Sequence, residues 1–118
     1  MIKLNEVQVL SLPAIPIRGI VVLPNNEMRI EVGRESSVKA LIDSERFDGH
    51  IVLINQQDPL IDNPKPQDLL DHGIVCKLLM KIKQPNGNYK VKVKGLIRAS
   101  IEEYFQEEPF LFTQIRTL

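Results

Sequence analysis

The chain has 118 residues, of which 43% are hydrophobic and 25% are charged, and its 15 basic residues balance its 15 acidic ones. This length suits one globular domain, and the balanced charge gives no overall field that would attract nucleic acid or an acidic membrane. Every apolar run falls well short of the roughly 20 residues that a transmembrane helix needs.

Proline and glycine divide the first third of the chain into short segments. Val9–Ile17 is rich in aliphatic residues but contains Pro13 and Pro16, so we predict an edge or irregular strand there. Ile20–Leu23 is predicted as a short buried segment that ends in a turn. A half-buried strand is predicted next, because apolar residues alternate with charged ones at Met28, Ile30 and Val32.

Helical spacing follows this second strand. Val38, Leu41 and Ile42 are separated by three and four positions, which places them on one face of a helix. Asp48-Gly49 supplies the stop signal. We therefore predict one substantial helix between the second and third strands.

The middle of the chain predicts a buried strand and then a long loop. Ile51–Ile54 is apolar at every position, as in a central strand that is covered on both faces. Gln56–Gln67 holds three prolines and is predicted to be an ordered loop. Two further strands, Leu96–Phe105 and Phe110–Leu118, are predicted on either side of Pro109.

Ile74–Arg98 predicts a long β-hairpin, because Asn86-Gly87 is the strongest short-range hairpin signal. A four-residue loop over Pro85–Asn88 would place Ile82 opposite Val91 and Met80 opposite Val93. One face of the hairpin is then apolar, while the other is cationic and carries Lys77, Lys81, Lys83, Lys90, Lys92 and Lys94. Gly95 is predicted to mark a bend or bulge.

The chain lacks the motifs of common enzyme and cofactor sites. There is no GxxxxGK[ST] phosphate loop, no GxGxxG, no HExxH and no CxxC. His50 and His72 each lie close to a glycine in a predicted turn, which favours solvated residues over ligands. We predict no catalytic, metal-binding or cofactor-binding residue in the chain itself. Cys76, the only cysteine, is predicted to be a buried hydrophobe of a cytoplasmic protein, without a disulfide.

The lysine face has two interpretations. Six lysines on a two-stranded surface could hold phosphates or acidic peptides. Aromatic residues for base stacking are absent from that face, which favours a solvated outer surface. Leu79 and Val75 share the predicted lysine face, and an apolar spot among charges is what a promiscuous peptide binder could use.

Several short motifs resemble the amino-terminal domain of Lon, the ATP-dependent protease. The segment Leu12–Leu41 contains Leu12-Pro13, Pro16-Ile17-Arg18 and Val32-Gly33-Arg34 in the order that this family shows. Further similarity follows at Gln56–Pro59, Pro66–Leu69, Gly73–Val75, Pro85-Asn86-Gly87 and Val93–Ile101. The resemblance covers nearly the whole chain.

The resemblance implies a mainly β (α+β) fold, a PUA-like antiparallel pseudo-barrel of about six strands with one helix inserted after the second strand. Residues 1–118 would then be the Lon amino-terminal domain, a fragment of a longer chain. An AAA+ ATPase domain using ATP and Mg and a Ser–Lys peptidase domain would lie outside it. The implied role is non-catalytic: binding unfolded or tagged substrate proteins and helping to organise the entrance of a hexamer, with no membrane partner.

The surface that would serve this role is a hypothesis drawn from apolar residues near strand ends: Met28, Ile30, Leu79, Phe110 and Phe112. The alternative is a nucleic-acid-binding module that uses the lysine-rich face of the hairpin, since the wider PUA-like class includes RNA binders. A purely architectural role in an oligomer is the third hypothesis.

Overall fold

The computed structural model describes residues 2–118, which form six β-strands and one α-helix. The elements in chain order are β1 (Val9–Ile17), β2 (Glu27–Val32), α1 (Glu35–Asp43), β3 (His50–Asn55), β4 (His72–Lys83), β5 (Tyr89–Gln106) and β6 (Leu111–Thr117). Short 3-10 turns lie at Ser44–Phe47 and Pro66–Asp68. The predicted mainly β fold, with its helix after the second strand, is confirmed.

Five of the strands close into a barrel. β1 pairs with β6 and β3, β3 with β4, β4 with β5, and the second half of β5 returns to β6. All of these pairings are antiparallel except β1–β3. β2 lies outside the closed barrel and pairs with the first half of β5. β2, the first half of β5 and the last part of β4 therefore form a three-stranded extension of the barrel.

β1 is a central strand, so the predicted edge position is wrong. It pairs with β6 in its first half and with β3 in its second half, and the two ladders meet at Ala14. The Ile17 carbonyl accepts a hydrogen bond from the Gln56 amide on the β3 side. Since backbone groups alternate along a strand, Pro16 directs its nitrogen to the other side, beyond the end of the β6 ladder. Pro13 directs its nitrogen towards β3 before that ladder begins, so neither proline removes a ladder hydrogen bond.

The sheet carries an apolar cluster on each face. All five barrel strands contribute to the interior cluster, which comprises Leu12, Ala14, Val52, Ile54, Leu69, Val75, Ala99, Leu111 and Ile115. The second cluster lies between the opposite face of the sheet and α1, and includes Ile15, Ile17, Ile30, Val32, Leu41, Ile51, Leu53, Cys76, Val91 and Val93. β3 is buried on both faces, as its continuous apolar run predicts.

Fewer apolar side chains of α1 are buried than its apolar spacing predicts. Leu41 is fully buried and Val38 packs on the second cluster, but Ile42 is 47% exposed. The buried side of α1 is completed by the small residues Ser37 and Ala40, which let the helix approach the sheet closely. Ile42 therefore lies at the edge of the buried face and is not fully part of it, although its spacing places it with Val38 and Leu41.

The loop after β3 is held by the side chains of Arg18, Arg34 and Gln56, which belong to the motifs Pro16-Ile17-Arg18, Val32-Gly33-Arg34 and Gln56–Pro59 (QxDP). Gln56 is 7% exposed, and its amide group donates to the carbonyls of Asp58 and Ile61 at 3.0 and 2.9 Å. Its Oε1 atom accepts a hydrogen bond of 2.6 Å from Arg34. Arg18 donates to the Pro59 carbonyl at 2.9 Å. These motif residues thus fix the path of an irregular segment.

The β4–β5 hairpin has a longer loop than predicted. Lys83 is opposite Tyr89, and the five residues Gln84–Asn88 form the loop, closed by a 2.7 Å hydrogen bond from the Gln84 amide to the Asn88 carbonyl. The extra loop residue shifts the register by one. Ile82 therefore lies opposite Lys90.

Two β-bulges correct the register farther along the hairpin. Leu79 is an extra residue in β4, and the register changes there so that Leu78 faces Val93. Near Gly95 the register changes again, which confirms the predicted bulge. A Cβ atom at Gly95 would collide with the Leu23 carbonyl oxygen, so the close approach of two backbones requires glycine. The predicted strand Leu96–Phe105 is the second half of β5.

The segment Ile20–Leu23 forms no strand and is less buried than predicted. Val22 is buried, but Val21 is 69% and Leu23 40% exposed. Val22 belongs to the second apolar cluster, and Ile20 packs against it.

Candidate functional site

The face of the sheet that lines the barrel continues onto the exposed face of the hairpin. Val75 lies in the barrel interior, and Lys77, two residues later, shares its side of β4. Lys77 is opposite Lys94, which therefore lies on the same face. The wall of the barrel interior and the exposed face of the hairpin are therefore one continuous face of the sheet.

A cavity of about 710 Å³ opens where this face leaves the barrel. We call it the barrel mouth. Its apolar wall is formed by Ile2, Leu4, Leu10, Leu12, Phe47 and Leu96, and its polar rim by Ser11, Arg46, Asp48, His50 and Lys77. An apolar cavity with a few polar groups at its edge is the usual character of a binding site.

The three-stranded extension continues the same face beyond the mouth. We call this part the hairpin platform, formed by Met80, Ile82, Lys90, Lys92 and Lys94. Met80 and Ile82 are 42% and 48% exposed and lie directly opposite Lys92 and Lys90. A hollow of about 320 Å³ lies beside Met80, with Arg29 and Glu31 of β2 in its wall. The platform thus alternates apolar and charged side chains.

The shifted register divides the six lysines between the two faces of the hairpin, so the single lysine face is a wrong prediction. Lys77, Lys90, Lys92 and Lys94 lie on the platform side. Lys81 is opposite Val91 and Lys83 is opposite Tyr89, which places both lysines on the side of α1. The Lys81 ammonium lies 6.0 Å from the centre of the Tyr89 ring.

Carboxylates neutralise some of these lysines. Ion pairs join Lys81 to Glu45 at 2.7 Å, Lys92 to Glu27 at 3.0 Å and Lys77 to Asp48 at 3.2 Å. Within residues 2–118, no carboxylate lies within 4.0 Å of the ammonium groups of Lys83, Lys90 and Lys94. Lys90 and Lys94 are nevertheless opposite Glu31 and Glu27 in the β2–β5 ladder, so the uncompensated positive charge at the far end of the hairpin is that of Lys83.

The structure does not bring the five candidate apolar residues together. Ile30 is 7% exposed and belongs to the core, so it cannot form an open surface. Met28 and Phe110 are half-buried against the same cluster. Leu79 is 45% exposed at the bulge of β4. Phe112 packs against the Phe47 ring at 5.5 Å between centroids, next to the barrel mouth.

The mouth residues that sequence reasoning missed are Leu10, Phe47 and Leu96. They come from three distant parts of the chain and meet only because the barrel closes. The one signal in the sequence is that Leu10 and Leu12 alternate along β1. On the opposite face of β4, Cys76 is fully buried in the second cluster. Desolvation raises the pKa of its thiol to about 12, so the thiol stays neutral.

The part of the chain that the structure describes holds no cluster of three or more residues able to ligate a metal ion. None of the helices formed by residues 2–118 has the length and apolar character needed to cross a bilayer.

Residues 11–118 match the family model of the ATP-dependent protease La (LON) substrate-binding domain. The chain belongs to the Lon substrate-binding domain family. Similar relatives include Lon proteases of Brevibacillus choshinensis, 37% identical over 108 residues, and of Solibacter usitatus, 39% identical over 106 residues. These matches cover 92% and 90% of this chain but 14% and 13% of the relatives, so the chain spans about one seventh of their length.

Solved structures of Lon amino-terminal domains share the fold. The domain from the Mycobacterium avium complex superposes with a TM-score of 0.67 at 21% identity, covering 92% of this chain and 55% of that one. The domain from Xanthomonas campestris also gives 0.67, at 15% identity, and covers 92% and 59% of the two chains. The fold of this chain is therefore shared with Lon amino-terminal domains.

Proposed function

We propose that this chain binds extended, unfolded segments of protein substrates along the barrel mouth and the hairpin platform. The observation that carries the proposal is the continuity of these two surfaces on one face of the sheet. An unfolded chain exposes apolar side chains at short intervals, and an apolar cavity that continues into a hollow of mixed apolar and charged residues suits such a ligand.

The energetics favour weak binding with little sequence preference. Burying an apolar surface releases about 25 cal/mol per Å², so one aliphatic side chain in the barrel mouth contributes about 2 kcal/mol. Ordering a flexible segment opposes much of this gain. Several anchors along the face are therefore needed for measurable affinity, as expected for a domain that samples many substrates.

An excess of basic residues on the platform adds a charge preference. The cations Arg29, Lys90, Lys92 and Lys94 share this part of the sheet with only two carboxylates, those of Glu27 and Glu31. Exposed charges steer encounter and discriminate between ligands more than they add affinity. Segments with acidic residues beside their apolar ones are the substrates that this surface favours.

We further infer that the domain serves a longer Lon protease, as the names of its relatives suggest. In that protein, ATP and Mg would be bound by an AAA+ domain and peptide bonds would be cleaved by a Ser–Lys peptidase, so this domain would supply recognition alone. A cytoplasmic hexamer with this domain at its entrance is the assembly we propose. These assignments are supported by family membership, and this chain's residues contribute no catalytic group to them.

The binding proposal can be tested with a permanently unfolded probe, reduced and carboxymethylated ribonuclease. Its affinity for the chain is measured by fluorescence anisotropy, with native ribonuclease as the folded control. Leu10→Asn and Leu96→Asn place an amide in the barrel mouth, and we expect each to weaken binding by about tenfold, since 1.4 kcal/mol corresponds to that factor.

Val21→Asn is the matched control, because Val21 is 69% exposed and does not line the mouth. Circular dichroism confirms that all three variants fold. Equal affinities for the three variants and the parent chain would overturn the proposed site. A steep loss of affinity for single-stranded DNA with salt, with tighter binding than to the unfolded probe, would favour the nucleic-acid alternative instead.

A further inference from the structure

The last part of β4 is an open edge of the sheet. β3 begins at His50, which is opposite Lys77, and the Leu78 amide makes the last hydrogen bond on that side, to the Gly49 carbonyl. Beyond this point, Leu79–Lys83 pairs only with β5. Five residues of extended chain give an open edge about 17 Å long.

The free hydrogen-bonding groups of this edge can be assigned from the ladder. The Gly95 amide and carbonyl bond to Asn26 and Asn25 on the β2 side of β5. Alternation along β5 then directs the backbone groups of Lys92 and Lys90 towards β4. Their partners are Met80 and Ile82.

The backbone groups of Lys81 and Lys83 consequently point away from the sheet. The hydrogen bond from the Gln84 amide to the Asn88 carbonyl agrees with this assignment. Gln84 follows Met80 and Ile82 in the alternation, and its backbone amide also points towards β5. No backbone partner for Lys81 or Lys83 exists on the open side among residues 2–118. An open row of this kind is a template for an added strand.

We propose that the open edge Leu79–Lys83 accepts an extended, acid-containing segment of a partner protein as an additional β-strand. The proposal rests on the substrate-binding function above and specifies how one part of the segment is held. Backbone hydrogen bonds to Lys81 and Lys83 would supply sequence-independent affinity. Alternate side chains of the segment would lie beside Met80 and Ile82.

Charge decides between an acidic segment and a second copy of this chain. Antiparallel pairing of two copies about a twofold axis places directly opposite residues on the same face, so a pair centred on Lys83 opposes its uncompensated ammonium to itself, whereas a pair centred on Lys81 brings two Lys81–Glu45 ion pairs together. A pair centred on Ile82 opposes Lys81 to Lys83. Like charges directly opposite each other are destabilising. A segment with carboxylates at those positions meets the uncompensated ammonium of Lys83 instead.

The test uses a ten-residue peptide of alternating valine and glutamate, followed by amide hydrogen exchange of the chain. Before addition, we expect the amides of Lys81 and Lys83 to exchange fast and those of Met80 and Ile82 to exchange slowly. Saturating peptide should slow exchange at Lys81 and Lys83 by at least about tenfold and leave Met80 and Ile82 unchanged.

N-methylation of the peptide provides the matched control. Methyl groups on every second backbone nitrogen block pairing when those nitrogens face β4 and have little effect when they face solvent. We expect one of the two alternately methylated peptides to lose binding and the other to retain it. Lys83→Glu should weaken the glutamate peptide about fivefold and leave a valine–threonine peptide unaffected.

Three results would overturn strand addition. The first is unchanged amide exchange at Lys81 and Lys83 after peptide is added. The second is equal loss of binding for both methylated peptides. The third is slowed exchange that is confined to β2, or that depends on protein concentration and not on peptide. If the unfolded ribonuclease probe still binds and responds to Leu10→Asn, the substrate-binding proposal survives such a result. Loss of both responses would remove both proposals.

Discussion

Met80 lies directly opposite Lys92 across the β4–β5 ladder, and the two side chains share the exposed face of the hairpin. The bulge at Leu79 produces this arrangement, because it turns Leu78 towards the core while Met80 and Ile82 face solvent. Apolar and cationic side chains therefore alternate on one surface that leads into the barrel mouth.

The packing of α1 predicts opposite outcomes for two adjacent residues. Leu41→Ala should lower the free energy of unfolding by about 2–5 kcal/mol, because Leu41 is fully buried in the cluster beneath α1. Ile42→Ala should change it by about 0.5 kcal/mol or less, since that side chain is largely in solvent. Urea denaturation measures both, and similar losses for the two variants would contradict the orientation of the helix.

The contact between Gly95 and the Leu23 carbonyl predicts a strong glycine requirement. Gly95→Ala should destabilise the chain by about 3 kcal/mol, because the added methyl group meets a backbone atom and the Ile74 side chain. Gly87→Ala is the control. Gly87 has a φ of 89° and open space around it, so only the backbone cost of about 1–2 kcal/mol is expected. Thermal unfolding should rank the variants in that order.

The Gln56 side chain predicts a stability role for the QxDP motif. Gln56→Ala should cost about 1–3 kcal/mol, because it removes the hydrogen bonds that the buried Gln56 side chain makes with Arg34 and with the carbonyls of Asp58 and Ile61. Gln67→Ala, at an exposed position of the turn before β4, should be neutral within about 0.5 kcal/mol. If urea denaturation finds Gln56→Ala as stable as the parent chain, the hydrogen bonds of the Gln56 side chain do not contribute to stability.

The buried thiol of Cys76 predicts a pH dependence above neutrality. Its pKa rises from 9.0 to about 12 in the folded chain because burial disfavours the thiolate. The unfolded chain therefore loses this proton first, and stability falls as pH rises above about 9 but is unaffected below it. At pH 10 the parent chain should lose about 1.4 kcal/mol more than Cys76→Ala, each relative to its own value at pH 8. Equal losses would contradict the burial.

Much of the fold could be predicted from local pattern. β1, β2, β3 and β6 follow from alternating or continuous apolar residues. The helix α1 ends at Asp43, earlier than predicted, and Asp48-Gly49, with φ values of 56° and 76°, ends the 3-10 turn that follows it. The closure of β5 onto β6 has no local signal. The position of β1 between two strands also depends on tertiary pairing, because prolines exclude only those ladder positions at which their nitrogen faces a partner.

The candidate site was predictable only in part. Leu78, Leu79 and Met80 are all apolar, so their sequence does not show which of them is the extra residue of the bulge. The loop Gln84–Asn88 is one residue longer than the turn signal suggests, and this shift moves Lys81 and Lys83 to the other face. The barrel mouth depends on Leu10, Phe47 and Leu96, which only the closed barrel brings together.

The central claim, that protein segments bind along the barrel mouth and the hairpin platform, is tested most directly by residue-resolved NMR. Labelled chain is titrated with reduced and carboxymethylated ribonuclease, and changes in amide chemical shift are mapped onto the structure. We expect the changes to concentrate at Leu10, Leu96, Met80 and Lys92. Changes centred on α1, or an unchanged spectrum at saturating probe, would contradict it.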